Sequence, residues 1–185
     1  MGHWLNIGCG TWRAPEPWIN VDVVDNDEVH PDVLREPGEP LPFGDGTASK
    51  VFAGHVFEHM AWPELPAFLI DLARVLEPGG ELLVVGPDVF RAIRRWKDGG
   101  EPWEIVTTVL EHTYNHGFET VDQWPNARHW WNCEETRLVT LLEGSGLFGS
   151  VKVLDPPPHP IDRDGIPGWP VVGFAPWQCA VMATR

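Results

Sequence analysis

Two glycines stand where an apolar run ends, in Leu5-Asn6-Ile7-Gly8-Cys9-Gly10. Glycine at such a point lets the chain turn sharply and lets a ligand approach the backbone with no Cβ in the way. Asp22 ends the next apolar run, 14 residues after Gly8. A carboxylate there can accept hydrogen bonds from both hydroxyls of an adenosine ribose, as it does in dinucleotide sites. Taken alone, a Gly-x-Gly is equally a plain strand-to-loop turn. A dinucleotide fingerprint needs a third glycine at position 13, which is Arg13, and a helix on whose N-terminus a pyrophosphate can rest. Pro15 and Pro17 leave little room for that helix, so an NAD-type site is disfavoured.

Histidine can take up a proton near neutral pH, and His59, His112, His116 and His129 are the candidates. His112 and His116 are four apart, which on a helix places both on one face, as metal ligands require. No third ligand completes that set, and no metal site is expected. Each of the later histidines equally suits a surface or loop role, and His59 equally suits capping a helix that starts there. The chain holds 11 tryptophans. They suit stacking on a sugar or aromatic ligand, and they equally suit filling a core or a dimer face.

The elements that must position these groups can be read from periodicity. Strands are expected at residues 4–8, 18–23, near 31–35, at 50–56 and at 81–85, the last opened by the turn Pro78-Gly79-Gly80. Leu65, Phe68, Leu69, Leu72, Val75 and Leu76 recur at helical spacing, and a later helix is expected from about Glu134 to Glu143. Residues 151–154 and 178–183 read as the last two strands. Strand, helix and strand in alternation argue for a largely parallel sheet with helices on both faces. Two stretches do not fit a minimal sheet: a tryptophan-containing insert at 87–133 and a proline-rich loop at 155–177 with seven prolines.

With 185 residues the chain fits a single domain spanning residues 1–185, and 43% hydrophobic and 22% charged residues suit a globular protein. The formal net charge is −14, from 13 basic and 27 acidic residues, which makes a phosphate backbone a poor partner. The run Arg91, Arg94, Arg95 and Lys97 reads as a solvated helix face. No apolar stretch is long enough to span a bilayer, no secretory leader opens the chain, and three cysteines without metal spacing suit a reducing cytoplasm.

Five segments in order are specific. Leu5 to Gly10, Trp18 to Asp22, Leu41 to Gly46, His55-Val56-Phe57-Glu58-His59, and Leu72 to Leu82 together resemble the successive motifs of class I S-adenosylmethionine-dependent methyltransferases. The likeness is to the small bacterial type and covers roughly residues 4–88, more loosely 129–185. It implies a Rossmann-like three-layer sandwich with a mostly parallel seven-stranded sheet and an antiparallel last strand, with S-adenosyl-L-methionine as cofactor. It implies that Gly8, Cys9 and Gly10 line the methionine end, that Asp22 with Val23 holds the ribose, and that the stretch from Glu36 to Leu41 touches adenine, where Arg35 or Glu36 could align. His55 and Phe57 fall where cofactor and acceptor meet, and His59, His116 and His129 are the candidate bases.

The chain departs from the family in three ways. Trp12 replaces a third glycine, the first helix is shortened or lost, and the chain begins at the first strand without a helical lid. The base-directed Asn/Asp-Pro-Pro-Tyr-like motif is replaced by Gly54-His55-Val56-Phe57. Asp155-Pro156-Pro157-Pro158 falls elsewhere and reads as a stiff loop. The expectation is O-methylation of a small molecule or glycan by a monomer or homodimer, without nucleic acid or membrane. The alternatives are a non-catalytic S-adenosylmethionine-binding domain and an NAD- or nucleotide-binding oxidoreductase on a similar fold.

Overall fold

The structure is a computed structural model that describes residues 2–114, 129–154, 168–170, 175 and 177–185. Seven strands form one sheet: β1 (His3–Ile7), β2 (Trp18–Asp22), β3 (Val33–Leu34), β4 (Ala48–Gly54), β5 (Leu76–Pro87), β6 (Ser150–Val153) and β7 (Gln178–Thr184), in the order β3-β2-β1-β4-β5-β7-β6. The pairs from β3 through β5 are parallel, and β7 runs antiparallel to both β5 and β6. Among the described residues the helices are α1 (Leu65–Val75), α2 (Val89–Lys97), α3 (Trp103–Tyr114) and α4 (Glu135–Gly144), with a 3-10 turn at Phe57–His59. None is long and apolar enough to cross a membrane.

Each strand boundary agrees with its periodicity to within a few residues except at the start of β5. There Ala48 pairs with Leu76 but Lys50 pairs with Glu81, so the residues between are looped out of the ladder. Pro78-Gly79-Gly80 is therefore a bulge within the strand rather than the turn that opens it, and Gly79 adopts the left-handed φ of 81° that the bulge needs. The segment 87–133 is helical in its first part, as the Arg91–Lys97 run suggested. That part is a helical pair, α2 and α3, packed through Val89, Ala92, Val106 and Val109.

The alternation of side chains along the strands separates two cores. Val51, Ala53, Leu82, Val84, Val181 and Ala183 face α1 and α4, whose Leu65, Phe68, Leu69, Leu72, Leu138 and Leu142 complete the larger one. Phe52, Leu83, Val85 and Ala180 point the other way, where Trp18 and Trp169 cover them with Trp4 and Met182 alongside. Lys50 Nζ sits 4.7 Å and 4.9 Å from the Trp4 and Trp169 rings, a cation–π bracket over that aromatic face.

Candidate active site

β1 and β4 are neighbours, with β2 and β3 laid to one side and β5 to the other. That reversal of strand order opens a crevice at the carboxyl ends of the strands, where open α/β sheets bind ligands. The Gly8 and Gly10 turn leaves β1 at this edge. Gly8 has φ +67°, and a Cβ there would stand 2.5 Å from Val56 Cγ2, so neither its conformation nor its space admits a side chain. Gly10 has φ +53°, and a Cβ there would meet no atom within 4 Å, so its backbone borders open space.

Asp22 ends β2 beside that turn and is 9% exposed. Its Oδ2 accepts the Gly10 N–H at 2.7 Å, and its Oδ1 accepts those of Val23 and Val24 at 2.7 and 3.1 Å. A carboxylate has about four acceptor positions, so one remains, on Oδ2. Cys9, between the glycines, is 5% exposed. Burial, and then the negative charge of Asp22, push its thiol up to about 12, which removes it as a nucleophile near neutral pH. Val23 is half-buried and Glu36 is exposed. Leu41 and Phe57 lie in the core, Leu41 donating its N–H to Asp71 Oδ2 at 2.6 Å and Phe57 packing its ring edge-on to Phe68.

On the acceptor side, β4 runs into His55, a non-glycine residue at φ 55°. This left-handed conformation costs energy that the surroundings must offset. Two contacts hold it: its N–H donates to Val85 O at 2.8 Å, and its Nδ1 lies 3.0 Å from Glu58 Oε1. Gln178 Nε2 abuts its other ring nitrogen. Glu58 is fully buried. Burial alone would raise its pKa, but the hydrogen bond and charge of His55, with the nearby His59, bring it below the ordinary value. Burial likewise works to lower the pKa of His55, and the Glu58 hydrogen bond and charge outweigh it, leaving that pKa raised.

The 3-10 turn that carries Glu58 and His59 is pinned by the segment just before α4. Trp130 N–H donates to Glu58 O at 2.7 Å, Trp131 Nε1–H to Phe57 O at 2.9 Å, and the Cys133 thiol to Glu58 Oε2 at 3.4 Å. This clamp sets the His129 ring edge-on to His59, with centroids 4.5 Å apart. Two of the three candidate bases thus meet. His116 lies outside the described residues, and α3 carries His112. Sequence reasoning passed over Glu58, although an acidic residue between two histidines at a strand end was the available signal. It also passed over the clamp at 130–133, which no local spacing announces.

Comparison with known proteins agrees with this architecture. Residues 5–84 match the family described as a methyltransferase domain. The fold is similar to that of a SAM-dependent methyltransferase from Archaeoglobus fulgidus, at 16% identity and a TM-score of 0.60, covering 100% of this chain and 86% of that one. It is also similar to a SAM-dependent methyltransferase, described as a possible histamine N-methyltransferase, from Thermotoga maritima, at 19% identity and a TM-score of 0.58, covering 100% and 83%. A third similar structure, from Methanosarcina mazei, has 14% identity and a TM-score of 0.52, covering 99% and 92%. No curated protein sequence matches the chain significantly. The match over residues 5–84 and the seven-strand order give the chain the class I, Rossmann-like fold of S-adenosylmethionine-dependent methyltransferases.

Proposed function

We propose that the chain transfers a methyl group from S-adenosylmethionine to an oxygen of a small molecule or glycan. The observation that carries this reading is the crevice edge itself. A left-handed glycine turn open to space at Gly10 follows β1 and a buried Asp22 carboxylate ends β2, while the neighbouring β4 runs into His55 and His59, the latter edge-on to His129. The residues suit the cofactor. The open side of Gly10 gives room for its methionine end, and the remaining Oδ2 acceptor of Asp22 takes a ribose hydroxyl. A second ribose bond requires the Gly10 amide to yield its place on Oδ2. Residues 11–17 carry no helix, so nothing there offers a helix N-terminus to a pyrophosphate, which favours this cofactor over NAD.

When bound, S-adenosylmethionine supplies an electrophilic sulfonium methyl group. The chain's own contribution is alignment, exclusion of water, and removal of the acceptor proton. Gly8 holds the turn against Val56, which keeps the cofactor side in register with the acceptor side. An imidazole of the His59–His129 pair receives the hydroxyl proton. The exposed rings of Trp62 and Trp130, 53% and 52% accessible, flank the pair's two segments in sequence and suit a sugar or aromatic acceptor.

Calorimetry with S-adenosylmethionine, followed by detection of S-adenosylhomocysteine with pools of hydroxylated acceptors, tests the reading. Asp22→Ala is expected to weaken cofactor binding by about 1–3 kcal/mol, the loss typical of charge-assisted hydrogen bonds. Unchanged affinity in that variant would refute the ribose assignment. Cofactor binding without product from any acceptor pool would instead favour a non-catalytic binding domain.

A further inference from the structure

The geometry points to a divalent transition-metal site formed by Glu58, His59 and His129. One donor atom from each lies within 4.8 Å of the others. Three donors about 2.1 Å from a shared cation stand roughly 3–3.5 Å apart, so closure asks each side chain to move inward by about an ångström. The two imidazoles already cross edge-on with centroids 4.5 Å apart, and both backbones are tied down by the Trp130 and Trp131 bonds to the 3-10 turn.

Two features of this cluster are costly as they stand and are relieved by a cation. The Glu58 carboxylate is fully buried, and among the described residues its side-chain partners are His55 and the weak Cys133 thiol donor, with no cationic Lys or Arg against it. A buried carboxylate with so little compensation is expensive. His59 Nδ1 is also buried and has no hydrogen-bond partner. A divalent cation supplies the missing positive charge and gives the imidazole a partner. Each Glu58 oxygen already engaged once keeps a lone pair for it.

Two imidazoles and one carboxylate are a donor set suited to zinc, manganese, cobalt or iron, with positions left open for exogenous ligands. One carboxylate against a divalent ion leaves a net charge of +1 at neutral histidines. The open positions therefore favour an anionic oxygen. The cation takes an acceptor hydroxyl as its alkoxide or phenolate, and the released proton passes to solvent or to a histidine outside the cluster. That part rests on the proposed methyl transfer and replaces proton uptake by the His59–His129 pair with a metal-held oxygen. Cation binding itself does not depend on it.

The test uses the full chain stripped with chelator and titrated with Zn2+ by calorimetry and with Co2+ by visible absorption, without cofactor or acceptor. We expect one equivalent per chain and Co2+ bands of a nitrogen- and oxygen-ligated ion. His59→Ala and His129→Ala should each weaken binding by at least about 10-fold. His30→Ala, which removes an exposed histidine between β2 and β3 that pairs with Asp25, should leave it unchanged. Absence of saturable one-to-one binding overturns the site, as does binding that survives both cluster variants or falls with His30→Ala. The Co2+ spectrum of the unaltered chain decides the matter even where a variant fails to fold. A chain that binds Zn2+ but not S-adenosylmethionine contradicts the transfer reading and upholds this site; the reverse pattern does the opposite.

Discussion

Asn20 shows at the scale of one residue how the loop between β1 and β2 holds its shape without a helix. Its Oδ1 accepts from Asn6 Nδ2 at 2.9 Å and from the Ala14 N–H at 2.7 Å, and its Nδ2 donates to Ala14 O and to Asp32 Oδ2. Asp32 in turn accepts the Asn20 N–H at 2.8 Å and pairs with Arg13. Burial tends to raise the Asp32 pKa, but these Asn20 bonds, followed by Arg13, bring it below the ordinary carboxylate value. A lowered folded pKa means the carboxylate stabilises the fold above the usual value near 4 and loses that contribution as pH falls through the lowered one. The melting-temperature gap between the wild type and Asp32→Asn is therefore expected to be largest above about pH 5 and to narrow in stronger acid. A gap independent of pH would remove the ionised carboxylate from the account. The position of Arg13 was legible as an obstacle to a dinucleotide, but its partner across the loop was not, because 19 residues separate them.

Among the elements, the junction after β5 matters most for the site. Asp88 is fully buried and serves two helices at once. Its Oδ1 accepts the Arg91 N–H of α2 at 2.8 Å, and its Oδ2 accepts the Glu135 N–H of α4 at 3.2 Å. Asn132 Oδ1 takes the Val89 N–H beside them. One carboxylate thus ties the start of α4, and with it the clamp at 130–133, to the end of β5. Asp88→Ala removes two caps, each worth up to about 2 kcal/mol, so urea denaturation should show a loss of about 2–4 kcal/mol. Asp88→Asn keeps one good acceptor and should lose about half of that. A loss below about 0.5 kcal/mol in the alanine variant would show that the helices are held by packing alone. The strands and α1 were legible because alternation and helical spacing are local. The β5 bulge was not, since Pro78-Gly79-Gly80 marks a turn equally well whether the ladder resumes on its far side or begins there.

At the scale of the molecule, the sheet separates chemistry from packing. One face is closed by leucine-bearing helices and the other, among the described residues, by Trp18, Trp169 and the Lys50 bracket. Three of the tryptophans, Trp18, Trp131 and Trp169, therefore do serve as core, while Trp12, Trp62, Trp96, Trp103 and Trp130 remain exposed. All three cysteines are buried free thiols, and burial raises the pKa of each. A thiol reagent at neutral pH is expected to label none in the native protein and three after denaturation. Rapid native labelling of Cys9 would mean that the glycine turn opens far more than its contacts with Val21 and Asp22 allow.

The amino-acid sequence by itself determined the alternation of strands and helices, the glycine turn, the aspartate beside it and the histidines after β4, because each depends on residues close together in the chain. Only the tertiary structure decided that His129 meets His59 across 70 residues, that Glu58 is buried between them and His55, and that Asp22 already holds the Gly10 amide. Those contacts arise when strands lying side by side bring distant segments to one edge of the sheet, and nothing in local spacing records which segments will meet.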